Sequence, residues 1–111
     1  MPVIDQATFE ELKQMSGEDF ITELIDAFLE DAPNMIRSMQ SALETRDVES
    51  FRRNAHSMKS NANTFGAMEL AALAKELEMK AKENDLEVGN RLEVLMEAYG
   101  KAAEALREMR T

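Results

Sequence analysis

The chain has 111 residues, no cysteine and a formal net charge of −9. That length suits one domain, 1–111, with a modest core, and the missing cysteines exclude disulfides and thiolate metal sites and suit a reducing, cytoplasmic setting. The acidic balance argues against a nucleic-acid partner, no apolar run reaches membrane-spanning length, and the first residues lack the pattern of a secretory signal.

With only 4 Gly and 2 Pro, and many Ala, Leu, Met, Glu and Lys residues, the chain reads as all-α. Asp5 or Thr8 can cap a first short helix, Thr8 with Glu11 making a capping-box pattern. Its apolar positions are Phe9, Leu12 and Met15, and it stops at Ser16-Gly17. Ser16 with Asp19 resembles a second capping box, opening a long helix to about Thr45. Phe20, Leu24, Ala27, Phe28, Ala32, Met35, Met39 and Leu43 recur there at helical spacing. Pro33 falls inside that stripe and predicts one kinked helix rather than two, because the stripe continues past it.

A third helix is predicted from about Asp47 to Phe65, with Val48, Phe51, Ala55, Met58, Ala62 and Phe65 on one face and Gly66 as its stop. The fourth carries Leu70, Leu73, Ala74, Leu77 and Ala81 and fades over Lys82 to Asp85. The fifth carries Leu92, Leu95, Met96, Tyr99, Ala103, Leu106 and Met109. Four long amphipathic helices with short connections predict an up-down four-helix bundle with a short additional N-terminal helix. Such a self-sufficient core predicts a monomer. Methionines at helical spacing, Met39, Met58 and Met96 among them, read as core.

His56 is the only histidine. At about 100° per residue it points about 130° away from the apolar stripe of its helix, so it faces solvent. Arg52, Lys59, Ser60 and Asn63 share that face. From Ser50 to Met68 there is no Asp or Glu, where the chain's acidic density predicts about four. The same stretch holds Arg52, Arg53 and Lys59. Phosphoryl chemistry needs such a patch. A neutral imidazole is a nucleophile, and a nearby lysine offsets the charge of the transferring group. A lone surface histidine without a role is the plain competing reading, and spacing alone leaves the two about equal.

The run Asn54-Ala55-His56-Ser57-Met58-Lys59, followed by small and polar residues and then Gly66-Ala67, resembles the signature of histidine phosphotransfer (HPt) domains. The family pattern is Ala-His-x-Leu-Lys-Gly, then several small or polar residues, then Gly-Ala. Ser60 stands where the family commonly has glycine. The proline-bearing helix and the segment Leu70 to Glu78 also resemble the family, so the likeness spans essentially the whole chain. It implies a phosphorelay in which His56 accepts and donates the phosphoryl group and Lys59 neutralises its oxygens. It further implies that Ser60 and Gly66 leave room for the partner, that Glu78 orients the imidazole, and that Lys82 is a basic contact beside Arg52, Arg53 and Asn63. The implied partners are receiver domains, which would supply Mg²⁺ and the accepting aspartate, and a hybrid sensor histidine kinase.

No metal site or cofactor is expected in the chain itself. The glycines Gly17, Gly66, Gly89 and Gly100 are scattered, and no phosphate-cradling loop exists for ATP, so no kinase activity of its own is expected. A helical adaptor that binds receiver or other signalling proteins without transferring phosphate is the alternative. A carboxylate-bridged metal bundle is disfavoured, because it needs Glu-x-x-His motifs and Arg53 stands three before His56.

Overall fold

The computed structural model describes residues 3–110. Five helices follow in chain order: α1 (Gln6–Ser16), α2 (Glu18–Thr45), α3 (Val48–Phe65), α4 (Met68–Lys82) and α5 (Arg91–Met109). Their boundaries follow from local chemistry. The Asp5 carboxylate accepts the Thr8 backbone N–H at 3.1 Å and starts α1. Asp47 does the same for α3 through the Ser50 N–H, also at 3.1 Å. Each side chain satisfies one of the amide donors that a helix start leaves unpaired. Gly66 ends α3 in the left-handed conformation, φ 83°, where a residue without Cβ sits without strain.

The start of α2 corrects one expectation. Gly17, not Ser16, is its N-cap, and no side chain caps it. Thus the Ser16/Asp19 capping box does not form. The helix runs unbroken through Pro33. A proline offers no N–H to the carbonyl four residues earlier, here Leu29. The Tyr99 hydroxyl of α5 points at that oxygen, 3.5 Å away, so the gap in the ladder faces a donor.

α2 spans the molecule. Its 28 residues make a rod of about 42 Å, matching the longest molecular dimension of 41 Å. α3 is shorter, 18 residues, or about 27 Å. The Phe28 and Phe65 rings stack at 5.2 Å, which sets the end of α3 opposite the middle of α2. The overhanging first turns of α2 are covered by α1, which packs on both α2 and α3 through Phe9. α3 packs most extensively on α4, then on α2, and α5 closes the bundle against α4 and α2.

The core face of α2 is Ile21, Ile25, Phe28, Ala32, Ile36, Met39 and Ala42. This is one residue out of phase with the predicted stripe at its start, and Phe20 is 51% exposed. Adjacent apolar residues offered two tracks, and the contact with α3 and α5 selects the one carrying isoleucines. Met15 and Met96 are likewise exposed rather than core, whereas Met39 and Met58 are fully buried. On α5 the inward positions are shared between Leu92, Leu95 and Leu106 and the small residues Ala98, Ala102 and Ala103, and small side chains let the helices approach closely. The same holds where α3 meets α4: Ala55 and Ala62 lie buried on one helix, and Ala71, Ala74 and Ala81 on the other. That close approach brings residues of α4 within reach of the outer face of α3.

Among the described residues, no helix is long and apolar enough to cross a membrane.

Candidate functional site

His56 sits midway along α3 with its side chain 57% exposed. Ala55 and Met58 on the same turn are buried and fix the ring's direction of exit from the helix. Across the α3–α4 seam stands Glu78, 2% exposed and the one buried charged residue among those described. Its position follows from the helix: Leu77, Ala74 and Ala81 around it all face the core, so Glu78 is carried inward with them.

A buried carboxylate needs compensation. Glu78 has three basic groups around it. Nδ1 of His56 lies 2.7 Å from Oε2, the Lys59 ammonium lies 2.6 Å from Oε1, and the Lys82 ammonium lies 3.8 Å from Oε2. Burial would push the Glu78 carboxyl up. The hydrogen bonds from Lys59 and His56 outweigh it and hold the group below the ordinary glutamate value. Glu78 is therefore an anion that only accepts hydrogen bonds, and Nδ1 of His56 must be the donor. This fixes the tautomer. The proton stays on Nδ1, and the lone pair of Nε2 is left on the exposed side of the ring.

The structure brings His56, Lys59, Glu78 and Lys82 together. Arg52 is close by, one turn earlier on α3, but its guanidinium is paired with Glu49, Nε to Oε2 at 3.1 Å. That pairing raises the Arg52 pKa and lowers that of Glu49. Arg53, Ser60 and Asn63 are exposed on α3. Asn63 and Lys59 border a shallow depression of about 240 Å³ with Met68, Ala71, Ala72 and Lys75. Gly66 is not at the site. It is ten residues further along α3, about 15 Å from His56 along the axis. Its carbonyl accepts the Asp5 N–H at 2.8 Å, and a Cβ there would meet the Asp5 carbonyl at 2.9 Å. It makes room for the chain leading into α1, not for a partner at the histidine.

Two neighbours escaped the sequence reading. Glu49 lies just outside the acid-free window, three before Arg52, a spacing that announces an ion pair on a helix. Lys75 lies three before Glu78 and so shares its side of α4.

Comparison with known proteins points to one family. Residues 23–109 match the family model described as the Hpt domain. The chain is 31% identical over 85 residues to the phosphorelay protein LuxU of Vibrio harveyi, covering 77% of this chain and 75% of that one. LuxU of Vibrio vulnificus strain YJ016 is 27% identical over 85 residues, covering 77% and 74%. The structure resembles the crystal structure of histidine-containing phosphotransfer protein B (HptB) from Pseudomonas aeruginosa PAO1. The TM-score is 0.88 at 26% identity, over 98% of this chain and 95% of that one. A bundle of this shape, a solvent-facing histidine on its third helix and a family match over most of the length lead to one conclusion: the chain belongs to the Hpt domain family, the histidine phosphotransfer proteins of phosphorelays.

Proposed function

We propose that His56 is the phosphoryl carrier of this protein, shuttling the group between aspartates of receiver domains. The observation that carries this reading is the pairing of an exposed ring with a buried anchor: Nδ1 held at 2.7 Å by Glu78, Nε2 on the open side. The Nε2 lone pair attacks the phosphorus of a receiver phosphoaspartate. The P–Nε2 bond forms as the P–O bond breaks, and the electron pair of that bond leaves with the aspartate carboxylate. The ring becomes cationic while the new bond forms, and the Glu78 carboxylate against Nδ1–H stabilises it. The return step, to an aspartate of a second receiver, runs through the same geometry in reverse.

The remaining assignments follow from the same arrangement. Lys59 secures Glu78 and supplies positive charge on the approach side. Arg52, Arg53 and Asn63 border the face that a receiver meets, and Ser60, small and exposed, lets it come close. Receivers, and a hybrid sensor kinase upstream of them, are the partners this chemistry calls for. Mg²⁺ belongs to the receiver site, where it offsets charge on the transferring group. The chain itself works as a cytoplasmic monomer and does not use ATP.

The test is transfer from a phosphorylated receiver to the wild-type chain and to His56→Gln. Acid-labile, base-stable label should appear on the wild type and be absent from the variant. A wild type that binds receivers but never takes the label is an adaptor, and the proposal fails.

A further inference from the structure

The resemblance implies that Lys59 meets the phosphoryl oxygens. The geometry points to a different division of labour: we propose that Lys82 is the cation that follows the phosphoryl group, while Lys59 stays on Glu78. This rests on His56 being the carrier.

Four cations surround the histidine, and they are held very differently. Arg52 is committed to Glu49 on its own helix. Lys59 is 2.6 Å from Glu78 Oε1 and its side chain is 25% exposed. Arg53 is exposed one turn before the histidine on α3, but about 60° round the helix from it. Lys82 is 3.8 Å from Oε2, beyond a direct hydrogen bond, with its side chain 57% exposed. Oε2 is also the oxygen that binds Nδ1 of His56, so the Lys82 ammonium and the ring flank one atom.

The cost of moving each lysine differs in the same direction. Glu78 is 2% exposed. If Lys59 left it for a phosphoryl group, Oε1 of this buried carboxylate would lose its short partner and only the contacts to Oε2 would remain, a costly loss for a buried charge. If Lys82 left, Glu78 would keep both short contacts. Lys82 also has the means. A lysine is a compact charge on a flexible four-carbon stem, and this one is largely in solvent beside the ring, its ammonium 3.8 Å from the oxygen that holds Nδ1. A phosphoryl group on Nε2 brings dianionic oxygens to the same ring, within the swing of that stem. Lys82 gains a charge-assisted contact there and gives up only a loose one.

The experiment is phosphorylation of the intact chain by phosphoramidate, a small donor that needs no receiver, followed by ³¹P NMR. In that step the P–N bond of the donor breaks, the P–Nε2 bond forms, and the leaving nitrogen departs as ammonia with a solvent proton. Wild type, Lys82→Gln, Lys82→Arg and Lys59→Gln are compared for the rate of labelling and the lifetime of the phosphohistidine. Lys82→Gln should label about tenfold more slowly, the scale of one charge-assisted hydrogen bond, with an unchanged melting temperature. Lys82→Arg should restore most of the rate. Lys59→Gln should instead lower the melting temperature. In the wild type, the ¹⁵N shift of the Lys82 ammonium should move on phosphorylation and that of Lys59 should not. A Lys82→Gln variant that labels at the wild-type rate, or a Lys59 shift that moves in place of the Lys82 shift, overturns the proposal. A wild type labelled nowhere on His56 overturns the carrier reading as well.

Discussion

Glu78 carries its charge where almost no water reaches it, and two of the short contacts at the site end on it. Its role divides into two parts: it fixes the tautomer of His56, and it holds the Lys59 ammonium against the seam. Both depend on ionisation. Because partners in the folded state hold its carboxyl below the ordinary value, its contribution to stability is present above the unfolded pKa. It is lost as the pH falls through the lowered folded one. Glu78→Gln should therefore cost about 1–3 kcal/mol at pH 7. The difference from wild type should shrink as the pH drops below about 4.3. Urea midpoints of both proteins across that range measure it, and a difference that stays constant would show that the charge is not what matters. Much of this was out of reach of sequence. The outward direction of His56 follows from the wheel of one helix. That Lys59 turns back to Glu78 depends on the register between two helices, which no spacing within either of them encodes. Glu78 came into view only through the family resemblance.

At the scale of the element, α3 is shaped by its two ends as well as by its faces. Asp47 starts it and Gly66 stops it, and both positions were readable, because capping depends on a few neighbouring residues. What Gly66 does was not readable. Its left-handed backbone and the carbonyl of Asp5 directly beside it tie the segment before α1 to the end of α3. Gly66→Ala should destabilise the fold by about 1–3 kcal/mol, from left-handed strain together with the close contact. Phosphotransfer per folded molecule should stay near wild type, since His56 is about three turns away. Denaturation and a labelling assay on the same sample separate the two effects. α2 shows the other limit of pattern reading. Its stripe was correct in kind but began one residue early, because Phe20 and Ile21 both qualify by hydropathy and only the neighbouring helices decide between them.

For the whole molecule, the bundle acts as a spacer that sets one distance, that between the outer face of α3 and the buried edge of α4. Buried alanines on both helices determine how close they come. Ala74→Leu should overpack the seam at a cost of about 1–3 kcal/mol and move Glu78 away from His56. Thermal unfolding should report the first effect, and the imidazole ¹⁵N shifts the second. Helix number, order and approximate limits were legible because each long helix has its own apolar periodicity and short connections leave few ways to arrange them. The closeness of α3 and α4 was harder to see, since alanine is weak in any hydrophobic count. The most direct test of the central claim is to identify which ring nitrogen takes the phosphoryl group. Long-range ¹H–¹⁵N correlation of His56 before and after phosphorylation should show Nδ1–H in the free protein and the phosphoryl group on Nε2. Phosphorylation at Nδ1 would contradict the account, because that nitrogen would have to leave Glu78 to react.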